Sequence, residues 1–598
     1  MDRNNLIGFI LMMALLFVYF VFFSPEPVPP TVTNTTTTDS TLSAGSVAAP
    51  VATDTVLTSA FGGAVRDTTS RTLENSDLKL QFSPTGVLQR AELKGYKTYL
   101  GKPLVLLSPA TSSLELKTAI SGKEADLFQL PSTAETTSDA DGTTVRFTAA
   151  SADGSFIRHI WTLPDKGFVV KYRLETSSGI LQRENLELLW TNKMPLVEKD
   201  IKDSRGKTAI NFRTADGETN GTSDTSVDPE SEIVPAGSTW VGMKQKFFLS
   251  AVLSSNGFAG GNVETRVDPA DEQTVKTGVA SLKVPAGKSS SGGVQLDFYV
   301  GPNDYKNLDE IAEGFETNVY LGWPPVKWVN QYFIVPLFYL LTKLTTSYGL
   351  IIIILVIVIR LVLLPLSYKS YLGMAKMRLL KPELDELKKK YPDDQMKFSQ
   401  EQMKLFSEAG ASPFAGCIPL LLQMPILFAM FYLFPSCIEF RQQTLPFAED
   451  ISTYDSVLSL PFTIPFLGNH LSIYTLLMTI STLVITWQNN QMSTVDGPMK
   501  SLSYIMPVIF LFVLNSFPAS LSFYYLAGNI ASFVQQILIR RFVDEDKIRL
   551  VMETHRKKMA ANPNSGKSPF MSRLNDALKA SEEARRTADE AKKKSKRS

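Results

Sequence analysis

The sequence predicts a polytopic α-helical membrane protein, with an N-terminal anchor and a five-helix core, that carries one large all-β sandwich domain. Three observations predict it. Nearly all the long apolar runs lie between residues 323 and 541. The stretch 75–300 instead alternates β-branched and aromatic residues with polar ones, between turns rich in Gly, Asp, Asn and Ser. Lys and Arg are unevenly shared among the segments that join the apolar runs. The chain of 598 residues is too long for one ordinary core, and its net charge of +1 says nothing about partners.

The first element is an 18-residue apolar run, 6–23, behind Arg3. No A-x-A cleavage site follows it. Ser24-Pro25-Glu26-Pro27 does, so 1–23 is expected to be an uncleaved signal anchor. Residues 24–70 are rich in Pro, Thr and Ser and bury too little to fold, which predicts a tether. Residues 71–320 form the sandwich, with strands expected at LKLQF, VLQRAELKGY, TVRFTAA, FIRHIWTL, FVVKYRLETS, LELLWTN, KFFLSAVL and VQLDFYV. Residues 305–317 read as a helix that packs on it. Residues 321–346 are expected to hold an amphipathic helix in the membrane interface, over the polar-studded apolar run 326–346.

Residues 347–541 then supply five spans, at 349–366, 413–434, 471–488, 501–517 and 521–539, each near the length that crosses a hydrocarbon core of about 30 Å. The last two are short and joined only by Pro518-Ala519-Ser520, a tight hairpin. Segment 367–412 holds nine Lys/Arg, the loop 435–470 only Arg441, and the region from Arg540 onward 17 against nine acids. By the positive-inside rule both termini and 367–412 are cytoplasmic, and 24–346 lies outside, in the periplasm of a two-membrane bacterium. Within the cytoplasmic segment, 370–390 and 394–409 predict a helical hairpin (370–410). Its Met374, Met377, Met396 and Met403 suit either a soft docking surface or the hairpin's own core. The basic tail 542–598 fits solvation, anionic lipid or contact with ribosomal RNA.

The chemistry is sparse. Two cysteines, Cys417 and Cys437, would lie roughly 30 Å apart on one helix, too far for a disulfide. The three histidines (His159, His470, His555) show no zinc or triad spacing, so no catalytic residue, metal or cofactor is expected. Ser565-Gly566-Lys567-Ser568 is half a phosphate loop without the first glycine or a preceding strand. The telling residue is Arg360, twelve residues into the first span. A central arginine costs on the order of 2.5–3.5 kcal/mol on insertion. No Asp or Glu occurs in the five spans, so an ion pair is not available there and a hydrated cavity is expected. Gln423, Thr486, Gln488, Asn529, Gln535 and Gln536 are the polar groups that could share its face, or act singly as interhelical glue. Gly416, Pro419 and Pro425 should loosen the second span.

The runs RLVLLPL, YKSYLGMAKMRLLKPELDELKKKY and SPFAGCIPLLLQMPILFAMFYLF closely resemble the YidC/Oxa/Alb family of membrane protein insertases, in its Gram-negative form with a large periplasmic domain. The resemblance implies a membrane insertase and folding chaperone of the inner membrane. It implies a hydrophilic groove open to cytoplasm and lipid, with Arg360 and Gln423 at the family's groove positions, and a hairpin that receives clients. Nascent membrane proteins, Sec translocon components, the ribosome and lipids are the implied partners, with no small-molecule substrate. The sandwich resembles galactose mutarotase-like supersandwich folds. Those folds catalyse with histidines and a carboxylate, whereas this domain has only His159. Two rival readings are a secondary transporter, disfavoured by five unequal spans without paired repeats, and a binder of envelope carbohydrate.

Overall fold

The computed structural model describes residues 68–561, apart from 121–122, 178, 182, 287–292, 393, 412–417, 465–466 and 493–497 and the side chains of 123, 395–396, 418–422, 492 and 498–499. The expected anchor, the tether up to 67, Cys417, the Met396 side chain and the tail beyond 561, with its half phosphate loop, lie outside the described residues.

All eight expected strands are present, within antiparallel sheets of four, nine and six strands. The nine-stranded sheet places Phe248–Leu253, Gly293–Pro302, Val169–Thr176, Phe156–Leu163 and Gly142–Ala150 side by side. The six-stranded sheet is built on the long pair Asn185–Pro195 and Thr274–Pro285. Their inner faces meet in one apolar core, where Trp190 of one sheet stands 6.0 Å from Phe298 of the other, ring centre to ring centre. The four-stranded sheet closes an end, with Phe82 5.2 Å from Trp161. Leu78–Phe82 alternates buried with half-buried residues, as its sequence period of two requires. His159 is sealed in this core. Its Nδ1 accepts from the Tyr172 hydroxyl (2.8 Å), its Nε2 donates to the Leu127 carbonyl (3.2 Å), and it stacks on Phe128. Burial pushes it down to about 4, so it is a neutral structural residue.

Two neighbouring inner strands of the nine-stranded sheet are buried on both faces. In Trp240–Lys244 and Phe248–Leu253 every residue is buried. Val241, Met243, Phe248 and Val252 point into the sandwich core. Trp240, Leu249, Ala251 and Leu253, with Tyr299, point into a second core shared with the helices. Phe315 stacks edge-on against Trp240 and Tyr299, and Phe338, Ile351 and Phe434 continue this core downward. The helix after the sandwich runs from Pro324–Val329 through a π-helical turn, Asn330–Ile334, into Val335–Thr342. Its inner face, with Asn330, Ile334 and Phe338, is buried. Trp328, Tyr332 and Leu340 on its outer face are exposed. Asn330 Nδ2 donates to the Leu321 and Ala429 carbonyls, pinning the π-turn to the second core helix.

The loop between the second and third core helices is built on the sandwich. Arg441 donates to Glu198 Oε1 at 2.8 Å, both groups being buried, and lies over the Phe248 ring. Lys246 bridges Asp203 Oδ2 (2.7 Å) and the Ser452 carbonyl (3.1 Å). Gln442 donates to the carbonyls of Lys97 and Thr98. A strand pair not expected from sequence, Leu458–Ile464 with Gly468–Leu471, completes the loop. Asp455 then caps the third core helix by accepting from Ser472 Oγ and the Ile473 amide.

The core helices are Tyr348–Val362, Ile418–Ser436, Ile473–Met492, Pro498–Leu514 and Ala519–Phe542. The first expected span is shorter than read. The helix ends at Val362 and bends by 61° into Leu364–Leu379. Pro365 causes the break, because it has no N–H and its ring cannot sit beside the carbonyl four residues back. Among the described residues no single helix is long and apolar enough to cross a membrane, whereas this bent pair passes together by length and composition. The hairpin differs likewise. Its first arm starts at Leu364, breaks before Pro382 and resumes as Lys381–Lys390, with Gln395–Glu408 as the return arm.

Candidate functional site

Arg360 sits in the last turn of the first core helix, where the exposed carbonyl ends favour a cation. Its guanidinium meets two neighbours. Nη2 donates to the Gly528 carbonyl of the fifth helix at 3.1 Å, and Nη1 to Gln423 Oε1 of the second at 3.4 Å. Gln535 Nε2 reaches back to the Arg360 carbonyl at 3.5 Å. All these acceptors are neutral; the Gly528 bond is of ordinary length, and the two glutamine contacts are longer than usual. Among the described residues no carboxylate pairs with Arg360. A guanidinium offers five donors, so most of its capacity is uncommitted to charged groups.

The other expected polar residues divide. Asn529 turns to the third helix and donates to Ser481 Oγ (2.9 Å) and Thr482 Oγ1 (2.8 Å). Gln536 donates to Asn489 Oδ1 at 3.4 Å. Successive helical residues point about 100° apart. Gly528 and Gln535 therefore serve Arg360, while their neighbours Asn529 and Gln536 serve the opposite flank. Thr486 and Gln488 are half-buried on the third helix, away from these bonds, and Gln488 Oε1 and Gln536 Oε1 are buried without partners. One expected face is thus two clusters: Arg360–Gln423–Gln535, and Asn529 with Ser481, Thr482, Gln536 and Asn489. Ser481, Thr482 and Asn489 were not singled out from the sequence, although Ser, Thr and Asn recur on one stretch of that helix.

A cleft of about 940 Å³ opens between the bent helix pair and the fifth helix. Ile357, Leu361, Ile530 and Leu538 are typical of its walls, and only Arg360, Tyr368 and Gln535 bring polar groups. Its described walls are apolar, with one cation at the edge. Gln423 and Gly528 give the guanidinium two neutral acceptors.

The hairpin is closed by a further helix, Glu545–Ala561, from the part of the tail nearest the core. Ile548 and Met552 bury against Leu380, Leu384 and Phe406, with Met377 and Met403 alongside. Met374 is half-buried. Met377 and Met403 thus pack beside this core while staying half-buried. Arg556 makes two 2.8 Å bonds to Glu383, Arg378 pairs with Glu545, and His555 Nδ1 lies 3.1 Å from the Glu408 carbonyl.

The comparisons agree with this architecture. The family model described as "60Kd inner membrane protein" matches residues 340–546, and the one described as "YidC periplasmic domain" matches 71–339. A protein of Cytophaga hutchinsonii named "Membrane protein insertase YidC" is 40% identical, over 99% of this chain and 100% of its own length. One of the same name from Amoebophilus asiaticus is 38% identical over 97% and 99%. A solved structure described as "Active YidC insertase crystal structure with the first transmembrane domain resolved" aligns over 79% of this chain and 92% of its own, at 16% identity and a TM-score of 0.32. The full-length relatives and the two family models, end to end from 71 to 546, show that the chain belongs to the YidC family of membrane protein insertases.

Proposed function

We propose that this protein takes hydrophobic clients from the cytoplasm and releases them sideways into the inner membrane, with Arg360 as the group that draws in the client's polar translocated segment. The single observation that carries this is a half-buried guanidinium with neutral partners only. An acidic side chain of a client is the partner it lacks, and at an effective dielectric near 20 one such pair is worth about 4 kcal/mol at contact. Gln423 and Gln535 hold the guanidinium at the mouth of the apolar cleft, and Asn529, Gln536, Thr486 and Gln488 supply a second polar flank. The cleft then offers the client's apolar segment a wall before it passes into lipid, a step driven by about 25 cal/mol per Å².

In this reading the hairpin, the helix Glu545–Ala561 that closes over it (the strap helix) and both termini face the cytoplasm, and 24–346 faces the periplasm, following the Lys/Arg count. The exposed Trp328, Tyr332 and Leu340 fit the helix after the sandwich to the headgroup layer. The basic tail meets the ribosome, and the Sec translocon shares some of the work. A photocrosslinker at Gln423, with a stalled ribosome–nascent chain, tests the reading. Adducts to the client's span are expected, and they should weaken when Arg360→Glu is combined with an acidic client. Equal insertion of acidic and neutral clients by Arg360→Glu would remove the charge-attraction role.

A further inference from the structure

The loop between the second and third core helices turns apolar side chains outward. Phe447, Val457, Leu458 and Phe462 are 70, 56, 53 and 60% exposed. The strand Leu458–Ile464 is covered on neither face, and only Leu460 and Ile464 are half-buried in it. Residues 456–495 contain no Asp, Glu, Lys or Arg, a run about twice as long as one span needs. The strand pair therefore has the composition of the helix that follows it. The exposed edge strands of the sandwich differ. Thr133–Asp139 (TAETTSD) and Glu230–Val234 (ESEIV) carry acids, which keep an open edge soluble. An uncharged two-stranded sheet is marginal in water, and its exposed apolar side chains call for cover.

Backbone and side-chain contacts set the level of this patch. Leu445 and Ala448 exchange backbone bonds of 2.9 Å around Pro446 and Phe447. Leu445 lies on the first turn of the first core helix, so close that a Cβ on Gly349 would meet Leu445 Cδ2 at 2.5 Å. The Tyr474 hydroxyl, in the first turn of the third core helix, donates to the Pro446 carbonyl. Phe447 thus stands where two spans begin. Its φ of 70° is one that a tight turn gives to glycine, yet a large exposed ring is held there. Leu458 pairs with Leu471, two residues before the third core helix starts at Ile473. That helix bears an exposed apolar stripe of Leu477, Ile480, Val484 and Trp487 at helical spacing, as a lipid-facing span requires.

We propose that the turn at Phe447 and the strand Leu458–Ile464 insert into the outer leaflet of the bilayer, as a lipid-docked wedge beside the first and third core helices. The inference rests on the orientation proposed above, which puts this loop on the periplasmic side. Lipid is the occupant that fits. The patch adjoins the first turns of two spans, and its strand pair has none of the charges that give a protein interface its polar rim. The contact is with the acyl-chain boundary and not with headgroup charge, because no Lys or Arg lies in 442–495. Glu449, exposed two residues beyond Phe447, disfavours anionic headgroups further.

The test puts the photoreactive analogue p-benzoyl-phenylalanine in place of Phe447 or Phe462, in the full chain in native membranes. Ile233, 77% exposed on the sandwich, is the control site. Adducts with the mass of a phospholipid are expected at Phe447 and Phe462 and not at Ile233. Adducts to another protein or to a second copy, no adduct, or equal lipid adducts at Ile233 would each overturn the proposal. If either analogue fails to fold, Leu458 takes its place with the same expectation. In phosphatidylcholine nanodiscs, adding phosphatidylglycerol should leave the yield unchanged or lower it, and a yield that requires the anionic lipid overturns the acyl-chain contact. Orientation is read separately. A membrane-impermeant amine reagent added to spheroplasts should label Lys102 and Lys166, exposed on the sandwich, and spare Lys389 of the hairpin. The reverse pattern overturns the orientation, whatever the adducts show.

Discussion

Two arginines of this molecule, one buried and one half-buried, carry the same charge under opposite terms. Arg441, between sandwich and core, has a carboxylate at 2.8 Å and an aromatic ring beneath it. Arg360, in the last turn of the first core helix, has one backbone carbonyl and one amide oxygen. The first is neutralised inside the chain and acts as a strut. The second is solvated only enough to be tolerated, and its charge stays available. What separates the two in their bonding is the nature of the acceptor, a carboxylate for Arg441 and neutral oxygens for Arg360.

The largest way to break the comparison is at the strut. Arg441→Ala or Glu198→Ala leaves a buried charge alone, and should cost about 3–5 kcal/mol of stability at the joint, read by chemical unfolding of the full chain. The paired change Arg441→Met with Glu198→Leu should recover most of that loss. A third buried polar group, His159, sharpens the contrast, because it has both ring nitrogens satisfied in the neutral form. Its folded value of about 4 lies below the ordinary 6.5. The unfolded chain therefore takes up a proton that the folded chain refuses as pH falls through that window. Stability should drop by about 3 kcal/mol between pH 7 and 4, and His159→Gln should remove that dependence. Arg360→Gln should behave unlike either. Its stability should change by less than about 1 kcal/mol, since no ion pair is broken and the cost of holding an unpaired charge in the protein is removed together with its hydrogen bonds. Insertion of clients with acidic translocated segments should fall about tenfold, with Arg360→Lys intermediate, as loss of about 1.4 kcal/mol implies. The smallest effect belongs to the exposed Arg556–Glu383 pair. A double-mutant cycle there should give about 0.2–1 kcal/mol, shrinking with salt.

Strands with one wet face were legible, and Leu78–Phe82 alternates in burial as it does in sequence. Trp240–Lys244 was not, because the sandwich covers one face and the helical core the other, which erases the period of two. In Thr274–Pro285, Lys276 argued for exposure, yet it is buried with Nζ on the carbonyls of Ser223 and Asp224. The break at Leu363 was written in Pro365, but the surrounding leucines masked it as part of one apolar run. The strap helix shows only Ile548 and Met552 as a buried pair, too little for a helical stripe to stand out from a basic tail. At the candidate site the residue types could be read, and Arg360 and Gln423 do meet. That Gln535 and Gln536 serve different clusters depends on where the first and third helices pack, which no local pattern encodes.

The elbow at Leu363 has a mechanical consequence. The corner is stitched by Leu363 N–H to the Ile359 carbonyl and by Ser367, whose amide and hydroxyl both donate to the Leu363 carbonyl. It is a stiff crank, not a loose hinge. Leu364–Leu379 is the long arm of this lever, loaded by the hairpin and strap at its far end, and Arg360 lies one turn from the pivot. Any displacement of the hairpin carried along this arm must therefore pass within one turn of the guanidinium, which is bonded to the second and fifth helices.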